Sequence, residues 1–440
     1  MSRDTTMSLA CAEHQRLSRR QLLAGTGASL ALWGLLPRSA IAGTRDPRLL
    51  AMVLRGGLDG LAMVAPVGDP DYPRLRKALA LTTSGEGAGL PLDSFFVLNA
   101  SMPYLHGLYQ KREALVVHAT ATPYRGRSHF DGQDVLESGL GGVGRIDDGW
   151  LNRAIAGLAS AGRANPKGLA MGAVVPLVMR GNAPVLSWIP NAYNIPLRDS
   201  TVARLMDLYG QTDPKLAKAF ADGMAINRLG AAGGMAAPAR PAAAAPAAQG
   251  DGMGAMMAPA QAQPAGARPF RDFIETAETA AKFLAAADGP RIGALSYNGW
   301  DTHANEGSIK GQLANRLAGL DAAIKAFAEG MGPAWKDTAV LIVTEFGRTA
   351  HVNGTDGTDH GTATCALLLG GAVKGGRVLA DWPGLADPKL HEGRDLKPTG
   401  DLRALLKGVL RDHLGIPAGA LAQTVFPDSR GAAPVDGLLA

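Results

Sequence analysis

The sequence predicts an α/β protein, a three-layer α/β/α sandwich around a mostly parallel central sheet. Two observations carry this. Apolar runs of five or six residues, rich in Val, Ile and Leu, recur along the chain, as strands buried on both faces do. Helical spacing lies between them: in 307–330, Leu313, Leu317, Leu320, Ile324 and Phe327 fall four and three residues apart and build one apolar face. Strand–helix alternation of this kind gives a sheet covered on both sides.

The first 42 residues stand outside the sandwich. Ser18-Arg19-Arg20-Gln21-Leu22-Leu23 opens an uncharged run from Gln21 to Pro37, which closes at Ala40-Ile41-Ala42 before Gly43. A charged start, a short apolar stretch and a small-x-small exit make a removed export peptide, and paired arginines make it a twin-arginine (Tat) address. An ordinary buried helix is the alternative. The run is shorter than the roughly 20 apolar residues that a membrane span needs, so no span is expected after cleavage. The Tat translocase is then a partner during export, and the mature protein is periplasmic or extracellular.

Four runs in the mature chain each end at chemically capable residues. Leu49–Leu54 leads into Arg55-Gly56-Gly57-Leu58-Asp59-Gly60, and Ala114–Ala119 into a loop with Arg125, Arg127 and Ser128. Ile292–Tyr297 leads into Asn298-Gly299-Trp300-Asp301-Thr302-His303, and Ala339–Thr344 into Glu345-Phe346-Gly347-Arg348. Ligands of such sheets collect at the carboxyl ends of the strands, where these groups fall. Between the two halves, residues 229–268 are nearly all Ala, Pro, Gly, Met and Gln. Such a stretch holds no packed fold and reads as an excursion from one domain spanning 43–440.

Charge and cysteine narrow the function classes. The net charge is +5, but Arg3, Arg16, Arg19, Arg20 and Arg38, set against Asp4 and Glu13, remove +3 of it with the export peptide. No Lys/Arg block remains, so nucleic acid is not an expected partner. The two cysteines are Cys11 and Cys365, and cleavage takes Cys11. No internal disulfide is then available, and Cys365 in an apolar run reads as a small buried hydrophobe.

The strand-end groups Asp59, Asp301, His303, Glu345, Asp359 and His360 form the candidate metal site. Converging carboxylates repel by ~4 kcal/mol per pair at ~4 Å and an effective dielectric near ~20, so a divalent cation between them is the expected remedy. Mixed carboxylate and imidazole donors suit zinc, manganese or iron better than calcium alone. Singly, Asp301 also reads as a helix cap, His303 as a surface histidine, and Gly354–Thr362 around Asp359-His360 as a plain turn. Ser128-His129-Phe130-Asp131 is a capping-box-like start to a helix over 129–138. A serine there faces backbone N–H groups and the positive end of the helix dipole, a place for anions. Ser128 is thus both a cap and the candidate nucleophile, with Arg127 beside it for anionic oxygens.

Five motifs in this order resemble the alkaline phosphatase superfamily, and within it the exported, sulfatase-like family fifteen-oh-one of unknown function. They are Arg55–Gly60, Arg127–Asp131, Gly299–His303, Thr344–Arg348 and Asp359–Gly361. The resemblance implies a phosphatase-like sandwich with a divalent centre of one or two ions, zinc, manganese or calcium. It places Asp59 on one metal, Asp301 and His303 on the other, and makes Glu345, Asp359 and His360 further ligands. Ser128 is then the nucleophile, and Arg127 and Arg348 hold a small anionic phosphate or sulfate ester. Where the superfamily commonly has Asp-His, this chain has Glu345-Phe346. A degenerate relative without turnover, either a metal-binding scaffold or a partner for another secreted protein, with one metal or none, is the alternative function; a hydrolase of amides or lactones is a third.

Overall fold

In a computed structural model the chain is described over residues 45–144, 147–160, 167–172, 174–188, 199–212 and 268–440, with isolated helical positions between 217 and 224. The expected export peptide at 1–42 and all but the last residue of the 229–268 segment lie outside the described residues.

Among the described residues, nine strands form the main sheet: β1 (Arg48–Arg55), β2 (Ala114–Ala121), β3 (Gly168–Met171), β4 (Val185–Trp188), β5 (Ile292–Asn298), β6 (Thr338–Thr344), β7 (Thr364–Leu369), β8 (Arg377–Leu379) and β9 (Gly400–Asp401). Their spatial order is β8-β2-β7-β6-β1-β5-β3-β4, with β9 also paired to β2. β1 is central and parallel to both neighbours, with Leu50 opposite Gly293 of β5 and Val340 of β6. The four apolar runs in the sequence thus become β1, β2, β5 and β6, with small extensions at their ends.

Alternation along β1 builds the three layers. Leu50, Met52 and Leu54 face a core shared with helices α3 (Arg268–Ala285) and α4 (Gln312–Met331), through Phe273, Leu284, Leu317 and Phe327. Leu49, Ala51 and Val53 face the opposite core, shared with α2 (Trp150–Ser160) and α5 (Leu402–Leu414), through Leu151, Ile155, Leu406 and Val409. Successive strand side chains point to opposite faces, so one uninterrupted apolar run serves both cores. Each fully buried aliphatic side chain contributes about 1.5–3 kcal/mol. A polar residue at any of these six positions therefore damages one layer or the other.

β7 runs antiparallel to β2 and β6. The pairing of Leu367 with Ile342 and Leu369 with Val340 brings the start of β7 to the end of β6. That reversal delivers the residues just before β7, Asp359 and His360, to the edge where β1, β5 and β6 finish. Cys365 in β7 is buried, and burial pushes its thiol well above the ordinary range, as befits a small hydrophobe. No helix among the described residues is long and apolar enough to cross a membrane.

Candidate metal centre

Helix α1 (His129–Ser138) enters this edge at its first residue. Ser128 is its N-cap, in extended conformation, with its Oγ accepting from the Asp131 N–H at 3.5 Å. The capping box closes through Tyr124, whose hydroxyl accepts from Ser128 N at 3.1 Å and donates to the Asp131 carboxylate at 3.2 Å. Gly139, in the left-handed region at φ 74°, ends the helix. At the end of β1 the chain must pass against the turn that carries Asp301. Gly56 has φ +121°, and a Cβ there would stand 2.6 Å from the Asp301 nitrogen, so only glycine allows the approach.

Asp301, His129, His303 and His360 meet here. Asp301 Oδ1 lies 3.0 Å from His303 Nε2 and 3.1 Å from His360 Nε2. Asp301 Oδ2 lies 3.4 Å from His129 Nε2. The two ring atoms His303 Nε2 and His360 Nε2 are 3.0 Å apart. His129, Asp301 and His360 each offer a ligand atom within 4.8 Å of the others.

The far nitrogen of every ring faces an acceptor. His129 Nδ1 meets Glu345 Oε1 at 2.8 Å, His303 Nδ1 meets Asp359 Oδ1 at 3.1 Å, and His360 Nδ1 meets the Arg127 carbonyl at 2.9 Å. Carboxylates and carbonyls only accept, so each Nδ1 carries a proton, and a ring that is neutral turns its Nε2 lone pair toward Asp301. His129 Nε2 is buried and has no hydrogen-bond partner. Three lone pairs aimed at one carboxylate with no proton between them require a cation, or a second proton on a ring. This donor set fits a divalent transition metal, and the acceptors behind the rings are the outer partners that metal-bound histidines ordinarily have.

Without a cation the titration directions differ from ring to ring. The Glu345 hydrogen bond holds His129 above the ordinary imidazole range, against the opposing effect of burial. Burial, then the charge of His129, holds His360 below it. Burial alone would raise the Asp301 carboxyl, but Arg348, His303 and His360 outweigh it and hold it low. Glu345 behaves likewise: its burial is outweighed by donors that include His129, Gly56 N–H and Gln133.

The remaining residues expected at the site are present but differently occupied. Glu345, closed to solvent, accepts from Gly56 N at 2.8 Å, Gln133 Nε2 at 3.2 Å and Thr344 Oγ1 at 2.9 Å besides His129. It stands behind His129, as Asp359 stands behind His303. Asp59 was expected as an early ligand; its carboxylate instead pairs with fully buried Arg76 and caps the helix Gly60–Met63 through Leu61 N and Ala62 N. Arg348 is 1% exposed and grips Asp301 Oδ1 at 2.5 Å, with its other donors on Thr358. Arg127 is held by Asp395 at 2.7 Å and by Glu392 at 2.5 Å. Both guanidiniums, expected to face a substrate, are engaged by carboxylates of the chain.

Known proteins give the site its family. The family model described as "Protein of unknown function (DUF1501)" matches residues 113–424, which include Ser128, His129, Asp301, His303, Glu345, Asp359 and His360. The chain belongs to the DUF1501 family. No curated protein matches it. Among solved structures it is similar to Ps i-CgsB, determined in complex with k-i-k-neocarrahexaose. That match has 12% identity and TM-score 0.34, over 74% of this chain and 66% of that one. The chain thus spans just under two thirds of the length of that protein. It is also similar to the phosphonate monoester hydrolase of Agrobacterium radiobacter, at 11% identity and TM-score 0.37, over 84% of this chain and 74% of that one. The site of the DUF1501 chain is read from its own residues.

His129 is the residue that the sequence does not single out in this DUF1501 protein. Its signal is the position directly after Ser128, at the first turn of a helix. Phe346 completes the arrangement by stacking on His129, with ring centroids 4.9 Å apart. Phe346 is thus one wall of the His129 ring.

Proposed function

We propose that this DUF1501 protein is a metal-dependent hydrolase of phosphate or sulfate esters acting after export, with Ser128 as the attacking group. The carrying observation is the convergence of the Nε2 atoms of His129, His303 and His360 on Asp301, each ring with an acceptor behind its Nδ1. Asp301, His129, His303 and His360 would hold the cation, whose chemistry is Lewis-acid polarisation of an ester oxygen.

The residues of the chain supply the rest. Glu345, Asp359 and the Arg127 carbonyl fix the ring orientations. Arg348 keeps Asp301 ionised and pins it. Ser128 stands at the N-terminus of a ten-residue helix, where anionic oxygens are favoured. Its cap contact at 3.5 Å is at the long limit for a hydrogen bond, so little opposes rotation of Oγ toward a bound ester. The choice of ester class rests on the five motifs that resemble the alkaline phosphatase superfamily.

Elemental analysis of the purified protein, wild type beside Asp301→Ala, tests the centre. A panel of aryl phosphates and sulfates tests the chemistry. A divalent ion in the wild type and its loss from the variant are expected, with turnover abolished by Asp301→Ala and by Ser128→Ala. A metal-free wild type removes the reading, and full turnover in Ser128→Ala removes the nucleophile.

A second reading is a degenerate relative without turnover, either a metal-binding scaffold or a partner for another exported protein. It is favoured by Asp59, whose place on Arg76 and the Gly60–Met63 cap leaves it no part in the histidine cluster. The second reading allows one metal or none; only the first gives a cleaved ester.

A further inference from the structure

A cavity of about 470 Å³ lies along α1, with Gln133 between it and Glu345 of the metal centre. Three of its walls are continuous with segments of the centre. Arg55 precedes Gly56, whose N–H binds Glu345; Asn298 leads into the turn that carries Asp301; and Phe130 and Gln133 share α1 with His129. Gln133 touches both places, since it lines the cavity and donates to Glu345 at 3.2 Å. The cavity thus lies one side chain away from the centre, at the same ends of β1, β5 and α1.

The cavity is also where the chain leaves large apolar side chains in water. Phe130 is 87% exposed and Val174 70%, the two most exposed large hydrophobics among the described residues, and both line it. Buried Met171 is a further apolar wall. Exposed apolar side chains gathered at a concave site mark a binding surface. The charges do not select by sign. Arg55 is paired with buried Glu137, while Asp134 and Arg180 at the exposed rim oppose each other.

We propose that this cavity receives the organic part of the ester, and that its apolar walls, with Phe130 as the stacking face, select esters of an aromatic alcohol. This rests on the hydrolase reading above and narrows its substrate class. An aromatic ring stacked on Phe130 in an offset or edge-to-face arrangement covers both rings, which a methyl group cannot do.

The test is direct binding, which needs no turnover. The full protein, loaded with the metal it purifies with, is titrated by calorimetry with phenylphosphonate and with methylphosphonate. The wild type is expected to bind the phenyl compound about tenfold tighter or more, the discrimination that an apolar pocket gives for extra apolar surface. In Phe130→Ala, whose side chain is too exposed to support the fold, the preference is expected to fall to about twofold or less, and in Val174→Ser to fall partway. Equal affinities in the wild type, a preference untouched by both substitutions, or no binding of either compound overturns the proposal. The ester panel separates the two readings. An aryl preference in binding with no ester cleaved overturns the hydrolase and leaves the pocket; turnover without aryl preference does the reverse.

Discussion

Glu345 Oε1 accepts from His129 Nδ1 at 2.8 Å, from a strand end that is closed to solvent. Because Gly56 and Gln133 bind the same oxygen, the carboxylate is fixed from the ends of β1 and α1. This contact turns His129 Nε2 toward Asp301. Glu345→Gln keeps the shape and loses the charge. Metal affinity is expected to fall about 10–100-fold with the fold retained. Competition with a calibrated chelator measures it, and an unchanged affinity would show that His129 is not a ligand.

Metal removal is expected to lower the melting temperature. A ligand bound only to the native state at about 100 times its Kd stabilises by about 2.7 kcal/mol, worth several degrees here. The difference between loaded and chelated protein should shrink as pH falls through the histidine range, because protons compete for each Nε2. His129, held above its ordinary value, is the first to be protonated. In the chelated protein its raised value contributes stability that is full at acid pH and is lost as pH rises through the folded value. Melting curves with and without chelator across that range check this.

Glu306 is expected to be neutral at neutral pH. Burial, then the adjacent Asp59, raises its carboxyl from 4.5 to about 8. Thr358 Oγ1 accepts from Arg348 Nε, so it donates to Glu306 Oε2 at 2.8 Å, while Glu306 Oε1 has no donor. A proton on Oε1 supplies one. The folded state then binds a proton that the unfolded state has released, so between about 4.5 and about 8 stability falls as pH rises. Glu306→Gln, which carries an N–H in that place, should remove the slope and fold normally. Chemical denaturation at several pH values decides it; an unchanged slope would assign the effect to other groups.

Gly56→Ala should damage stability and metal binding together. Its Cβ would meet the Asp301 nitrogen at 2.6 Å, in a backbone region that side chains avoid. A loss of roughly 1–3 kcal/mol is expected, with weaker metal uptake as Asp301 moves. Gly107→Ala is the contrast. Gly107 lies in the helix Pro103–Gln110, where a Cβ meets nothing within 4 Å. It should gain about 0.5–1 kcal/mol and leave the metal alone. Paired denaturation and metal titration distinguish the two.

Much of the architecture was legible because it is written in local periodicity. The apolar runs at 49–54, 292–297 and 339–344 had to be strands buried on both faces, and the two cores on either side of β1 follow from that. The helix over 129–138 was legible from Ser128 and the residues after it, and it forms over those residues. Asp301, His303 and His360 were legible as site candidates because strand ends gather chemistry. His129 was not, since one imidazole at a helix start has no periodicity to betray it. The place of Asp59 was equally hidden, because Arg76 is 17 residues away and joins it only through the fold.

The sequence by itself determined the sandwich, the strand-end placement of the acids and the helix at Ser128, since these depend on spacing between near neighbours. Only the tertiary structure decided which acids face the rings' outer nitrogens, which arginines are already engaged, and that His129 completes the cluster. The reason is proton direction. Which nitrogen of a ring is bare depends on the acceptor behind it, and Glu345, Asp359 and the Arg127 carbonyl reach their rings across 216, 56 and 233 residues of chain.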